Sequence, residues 1–249
     1  MADRRTHAMR KMTQTERIRS YILKSIVIIS AVVGTILSAL NRTGEFMAGK
    51  KVFMYFTIQS NIAIALICMI GIYLLMRDKA VGNAWRIIKF VGTVAITLTG
   101  VVFVAVLAPT LGDKAWNVHN TFTHVVVPIA AVADFLVTTA GVGIKRRNVF
   151  FVIIPPLLYA IYAGIGYAAG WEFSGGTNYP YFFLNWGSPA GAFGFTKELP
   201  YMGSAWWILA LFFFLIIVGN CYLSIADRLE RNNAKDHVRR PCLLKRSEG

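Results

Sequence analysis

Charge is scarce in this chain. Asp, Glu, Lys and Arg make up 15% of its residues, against about 25% in a typical soluble domain, and they lie mostly between long apolar runs. This excludes an ordinary water-soluble domain. Cysteine is scarce too. Cys68, Cys221 and Cys242 form no disulfide framework and lack metal-site spacing, so they read as small apolar fillers plus one free tail thiol. There are four histidines, of which only His119 and His124 lie away from the polar ends. Two histidines five apart on one helix project about 140° apart, so they do not clamp a haem or metal between them. The chain has no Walker-type phosphate loop, no nucleotide fingerprint, no internal repeat and no second domain. No metal and no cofactor is expected.

Acidic residues are outnumbered, 12 against 26 basic ones, for a net charge of +14. Such a balance can mark a nucleic-acid binder. Here the Lys and Arg residues flank apolar runs, where they set topology and meet anionic headgroups. No basic stretch is interleaved with aromatics on a folded domain, so no nucleic acid is expected.

What the chain has in excess is apolar sequence, 56% of its residues. Its 249 residues suit one soluble domain or about six membrane helices, and the composition selects the second. The reading is an all-α, polytopic integral membrane protein with six transmembrane helices, near 22–40, 52–76, 90–109, 120–140, 149–170 and 203–225. A basic leader (1–21) precedes this 22–225 domain and a basic tail (226–249) follows it. The first run, Ile22–Leu40, has Lys24 at its edge. It is longer than the apolar region of a signal peptide, about 7–15 residues, and Asn41-Arg42-Thr43 is a poor cleavage site, so a retained helix is expected. Counted on alternate sides of the six spans, the Lys and Arg residues outside them divide twenty to five. The positive-inside rule then places both termini in the cytoplasm. If the source is bacterial, the membrane is the cytoplasmic one.

The segment 171–202 differs from the other loops. It is rich in Gly and aromatics and carries one basic residue, Lys197. It is too apolar to float in water, and reads either as an interfacial aromatic belt or as a lid over the bundle that admits a lipidic ligand.

Two polar features lie inside apolar spans. The second span contains Tyr55-Phe56-Thr57-Ile58-Gln59-Ser60-Asn61, and the fourth contains His124. Lipid offers such groups no hydrogen bond, so they must face protein, water or a ligand. Helical spacing puts Thr57, Ser60 and Asn61 on one face and turns Gln59 away. Thr57 is expected about five residues into its span and His124 a few residues into its own, at one level below the same surface. A Thr hydroxyl with an imidazole base suits acyl transfer, because the base removes the proton that keeps the hydroxyl a weak nucleophile. The bland alternatives are a Thr hydroxyl bonded back to its own i−4 carbonyl and a His serving as an interhelical hydrogen-bond partner. Ser60, Asn61, Asn120, Tyr179 and Tyr181 are candidates for binding substrate or its oxyanion. Asp134 is the one acid well inside a span. It reads as a functional carboxylate or as the partner of Lys145, Arg146 or Arg147. It lies about 15 Å along the helix from His124, too far to complete a Ser-His-Asp type of triad. Pro155-Pro156 is expected to kink or unwind the fifth span, and Gly164, Gly166 and Gly170 to let helices approach closely.

The order of "YFTIQSN" (55–61), "HVVVP" (124–128) and "NYPYFFLN" (178–185) across six spans resembles the bacterial branch of the androgen-induced and androgen-dependent membrane protein superfamily. The resemblance covers the chain from the second span to the sixth. It implies a transmembrane threonine hydrolase, since the animal members cleave fatty acid esters of hydroxy fatty acids. Their nucleophilic Thr and their His ahead of a Pro map by position to Thr57 and His124. The expected function is intramembrane hydrolysis of lipid esters, with membrane lipids and a lipidic small molecule as partners. A transporter or binding protein for a small or lipidic ligand is the alternative, with Asp134 as a proton site and Pro155-Pro156 as a hinge.

Overall fold

The computed structural model describes residues 12–41, 49–79, 81–138 and 143–244, without the side chains of 114 and 233–244. Arg4, Arg5, Arg10, Lys11, Arg42 and Glu45 of the expected polar segments, and the side chain of Cys242, lie outside the described residues. Six helices are long and apolar enough to cross a membrane: α1 (Gln14–Leu40), α2 (Phe56–Met76), α3 (Asn83–Leu111), α4 (Val118–Val137), α5 (Arg146–Ala168) and α6 (Ser204–Asn232). The last continues as helix to Leu244. Among the described residues no strand forms, only the isolated bridges Ser174–Thr177 and Phe195–Met202.

The helix starts differ from the apolar runs for local reasons. α1 begins at Gln14 rather than near Ile22, because Thr13 and Glu16 form a capping box that satisfies two backbone donors reciprocally. Lys24 therefore sits inside a helix and is buried, rather than marking its edge. α3 begins at Asn83, which carries Lys89 out of the expected loop and into the bundle. The second span is broken. A 3-10 stretch, Gly49–Met54, and an extended Tyr55 precede the α-helix, so Thr57 is the second residue of α2 and not the fifth or sixth of a longer helix. α5 opens as a 3-10 helix, Arg146–Ile153, and becomes α-helical at Ile154. Pro155 and Pro156 lie in the first turn of that α-helical part, where a missing N–H costs nothing, so of the two expected effects they mark a change of winding at a junction rather than a kink in a continuous α-helix.

α1 packs on α2 and α4, α3 on α2 and α4, and α6 on α3 and the 3-10 part of α5. In a bilayer, helices gain from close van der Waals fit and interhelical hydrogen bonds, and small residues permit that fit. Two glycines hold α4 in place. A Cβ on Gly34 of α1 would lie 2.7 Å from Thr123 Cγ2, and one on Gly100 of α3 would lie 2.8 Å from the His124 carbonyl oxygen. Gly164 and Gly166, expected at helix–helix contacts, instead face loop aromatics. Gly164 lies against Trp186, and Gly166 against Trp171 and Phe173. Gly170 adopts φ +70° in the turn after α5, a conformation open to glycine at no steric cost.

Residues 171–202 fold back over one end of the bundle. Phe173, Tyr181, Phe183 and Leu184 are buried there in one cluster with Tyr55 and Tyr159. The indole N–H of Trp206 donates to the Phe193 carbonyl and that of Trp207 to the Pro200 carbonyl, at 2.8 and 3.0 Å. These bonds tie the loop to α6. The ion pair of Lys51 with Glu172, at 2.9 Å, ties it to the segment before α2. The loop is thus a lid over the end of the bundle where α2 starts.

Candidate functional site

Beneath this lid, Thr57 and His124 meet. Thr57 Oγ1 lies 3.3 Å from His124 Nε2, and both residues are buried. The i−4 alternative for the Thr57 hydroxyl does not apply where α2 begins, since no α-helical turn precedes Thr57 and Tyr55 is extended. The Phe53 carbonyl, the would-be acceptor, receives the Gln59 side-chain amide instead, at 3.1 Å.

The surroundings of His124 determine its tautomer. Nδ1 lies 3.1 Å from the Asn120 carbonyl oxygen and 3.0 Å from Thr123 Oγ1. A carbonyl only accepts, and the Thr123 hydroxyl proton is directed to the His119 carbonyl at 2.9 Å. Nδ1 therefore carries the proton in the neutral ring, and Nε2 presents its lone pair to Thr57. This is the protonation pattern of a general base. Asn120, a candidate through its side chain, contributes through its backbone. Its side-chain amide donates to the Ala115 carbonyl at 2.9 Å.

The ring of His124 also stacks on Phe103 of α3, with centroids 3.9 Å apart and planes at 22°. Both residues lie in single π-helical turns, Phe103–Leu107 and Phe122–Val126. Each turn ends two residues before a proline, Pro109 or Pro128. Proline supplies no N–H to its helix and crowds the carbonyl four residues back, and a π turn is one way of absorbing that mismatch. Sequence reading missed both turns and the role of Phe103, although the two in-span prolines were the available signal.

Around Thr57, the polar candidates divide. The phenol oxygen of Tyr181 is 3.5 Å from Thr57 Oγ1 and 3.4 Å from its backbone N. Burial pushes the Tyr181 phenol up from its ordinary range, so it stays protonated and able to donate. α2 has no side-chain cap; its Thr57 N–H donates to the Tyr181 phenol oxygen and its Gln59 N–H to the Tyr55 carbonyl, and the positive end of the helix lies beside the hydroxyl. Asn61 does not supply an oxyanion donor. Its amide N–H groups are spent on the Thr57 and Thr123 carbonyls, at 2.8 and 3.1 Å, and its Oδ1 is buried without a hydrogen-bond partner. Ser60 bonds the Thr57 carbonyl at 3.0 Å and Thr99 at 2.7 Å. Asn61 and Ser60 therefore fix the first turn of α2 rather than face a ligand. Tyr179 does not line the cleft described next.

Thr57 forms part of the wall of an apolar cleft whose space, open mouth included, is about 570 Å³. Leu98, Thr99 and Val102 of α3, Pro156, Tyr159 and Ala160 of α5, Ile208 and Leu211 of α6, and Tyr181 and Phe183 of the lid complete most of it. His124 stands behind Thr57, outside the cleft wall.

Asp134 lies elsewhere. Its carboxylate is paired with Lys24 of α1 at 2.6 Å and Lys89 of α3 at 2.7 Å, and accepts from Ser20 at 3.0 Å. Its expected partners near the helix end do not reach it, and Arg146 pairs instead with Asp227 at 2.7 Å. With relative exposures of 1, 3 and 6% for Asp134, Lys24 and Lys89, the cluster is a buried three-helix clasp. Among the described residues, no three His, Cys, Asp or Glu side chains converge as a metal site. Comparison with protein-family models, curated proteins and solved structures finds no match to this chain.

Proposed function

We propose that this protein is an intramembrane hydrolase of lipid esters, with Thr57 as nucleophile and His124 as general base. The observation that carries the proposal is the 3.3 Å approach of Thr57 Oγ1 to the unprotonated Nε2 of His124, at the wall of an apolar cleft. The charge asymmetry of the connecting segments supports cytoplasmic termini, which puts the lid and the site near the outer surface of the membrane.

Nε2 takes the hydroxyl proton as Thr57 Oγ1 bonds to the ester carbonyl carbon. The carbonyl π electrons move to oxygen, where the Tyr181 phenol offers a donor and the positive end of α2 favours the charge. Collapse of this intermediate breaks the C–O bond to the alcohol, which leaves with the proton from Nε2. A water then attacks the threonyl ester and gives its proton to Nε2. Breaking the bond to Oγ1 releases the fatty acid and returns that proton to Thr57.

Activity-based labelling with a long-chain fluorophosphonate tests the reading. The unsubstituted protein is labelled on Thr57. Thr57→Ala and His124→Ala lose both labelling and turnover of lipid esters, while each still inserts and purifies as a folded protein. No labelling of the unsubstituted protein, together with no turnover of any lipid ester, sinks it.

A further inference from the structure

α5 and α6 form a V. At one end they are pinned together. Arg146 donates to the Asn220 carbonyl and to Ser224, at 3.0 and 3.1 Å, and pairs with Asp227. Gly219 lets Val149 and Val152 approach closely. This contact uses the 3-10 part of α5. Beyond Pro155-Pro156, the α-helical part of α5 packs on α3 and on the lid around Phe182–Leu184, and α6 is not among its main contacts. Between the diverging arms lie Pro156 and Ala160 on one side and Ile208, Leu211 and Phe212 on the other, all walls of the cleft. Ala160 and the three α6 residues are half-buried. Beside them, Leu157, Ile161, Leu209 and Phe213 are exposed on the outer face of the same helices. In a bilayer, such apolar surface meets lipid tails.

We infer that the open end of this V is a lateral port through which a single unbranched hydrocarbon chain passes from the surrounding bilayer into the cleft. The cleft walls identify this occupant. The lining is apolar apart from Thr57 of α2, Thr99 of α3, Tyr159 of α5 and Tyr181 of the lid. A molecule that fits carries a long apolar chain along the α5–α6 seam and a carbonyl at its inner end. The port is continuous with the lipid-facing surface, so the chain need never cross water. Phe212 lies eight residues into α6, about 12 Å along its axis, which gives the chain depth as well as width. The inference deepens the hydrolase reading and rests on it for the direction in which the carbonyl points.

The test uses the full chain in lipid nanodiscs with a diazirine-bearing palmitate as photoreactive probe. Crosslinks are mapped by residue-level mass spectrometry. In the unsubstituted protein they concentrate on Pro156, Ala160, Leu211 and Phe212. Ala160→Trp and, independently, Ile208→Trp fill the mouth of the V and lose these crosslinks. Leu158→Trp, on a lipid-facing position of α5, keeps them. Two variants guard against one failing to fold. Crosslinks spread evenly over lipid-facing residues, or unchanged in a folded Ala160→Trp or Ile208→Trp protein, overturn the port. Fluorophosphonate labelling of the unsubstituted protein is scored separately. Cleft crosslinks with neither Thr57 labelling nor turnover of any lipid ester leave the port standing and remove the hydrolase, and the reverse result removes the port alone.

Discussion

The ring of His124 lies nearly parallel to that of Phe103, 3.9 Å away, and each comes from a π-helical turn just ahead of a proline. An imidazole held on one face by an aromatic ring and at Nδ1 by a carbonyl has little freedom to rotate. The arrangement aims Nε2 at Thr57, and such preorganisation is what the proposed general base requires.

Phe103→Leu keeps the apolar volume but removes the flat face. The expected result is a drop in kcat with little change in KM for a lipid ester, in a protein that purifies with unchanged helical content. An unchanged kcat would show that the Asn120 carbonyl alone orients the ring.

Gly100→Ala tests how closely α3 must approach. The new Cβ would meet the His124 carbonyl oxygen at 2.8 Å, and backbone cannot yield as a flexible side chain would. α4 must shift, taking Nε2 away from Thr57. Fluorophosphonate labelling should slow markedly while the protein still assembles. Labelling at the unsubstituted rate would mean that α3 and α4 separate without moving the ring.

Tyr181→Phe removes one donor beside the Thr57 hydroxyl and keeps the aromatic packing with Phe183. If the phenol stabilises the developing oxyanion, kcat falls by about 10²–10³ and KM changes little. A change confined to KM would assign Tyr181 to binding alone.

Asp134→Ala leaves Lys24 and Lys89 buried without a counter-charge. Breaking a buried pair by removing one partner costs roughly 3–5 kcal/mol, so the variant should melt well below the unsubstituted protein in the same detergent. Lys24→Met with Asp134 retained should cost less, because Lys89 still balances the carboxylate. Equal Tm values for Asp134→Ala and the unsubstituted protein would show that the clasp adds no stability.

The lid carries a pH-dependent tether. Lys51, with the Gly176 N–H, holds the Glu172 carboxyl below its usual range. A carboxyl whose pKa is lowered by folding stabilises the folded form above its unfolded pKa, and that contribution is lost as pH falls through the lowered value. Hydrogen exchange at Gly176 should therefore be slow near neutral pH. After correction for the intrinsic exchange rate, its protection should weaken below the usual carboxylate range. In Glu172→Gln the pH dependence of this protection disappears.

The six helices, the shared face of Thr57, Ser60 and Asn61, and a histidine at matching depth in another span were legible in the sequence. Apolar run length and the cost of an unsatisfied polar group in lipid act residue by residue, with no need to know which helix neighbours which. The isolation of Asp134 from His124 followed from helical rise alone. What only the tertiary structure decided were the partners. Lys24 and Lys89 looked like edge and loop residues until a capping box lengthened α1 and a longer α3 drew the second lysine into the bundle. Asn61 looked like a donor until two carbonyls consumed its N–H groups. The tautomer of His124, the stacking of Phe103 and the V of α5 and α6 depend on how separate helices pack. Such packing is set by close approach at glycines, proline-induced π turns and ion pairs between segments far apart in the chain, and no local pattern encodes it.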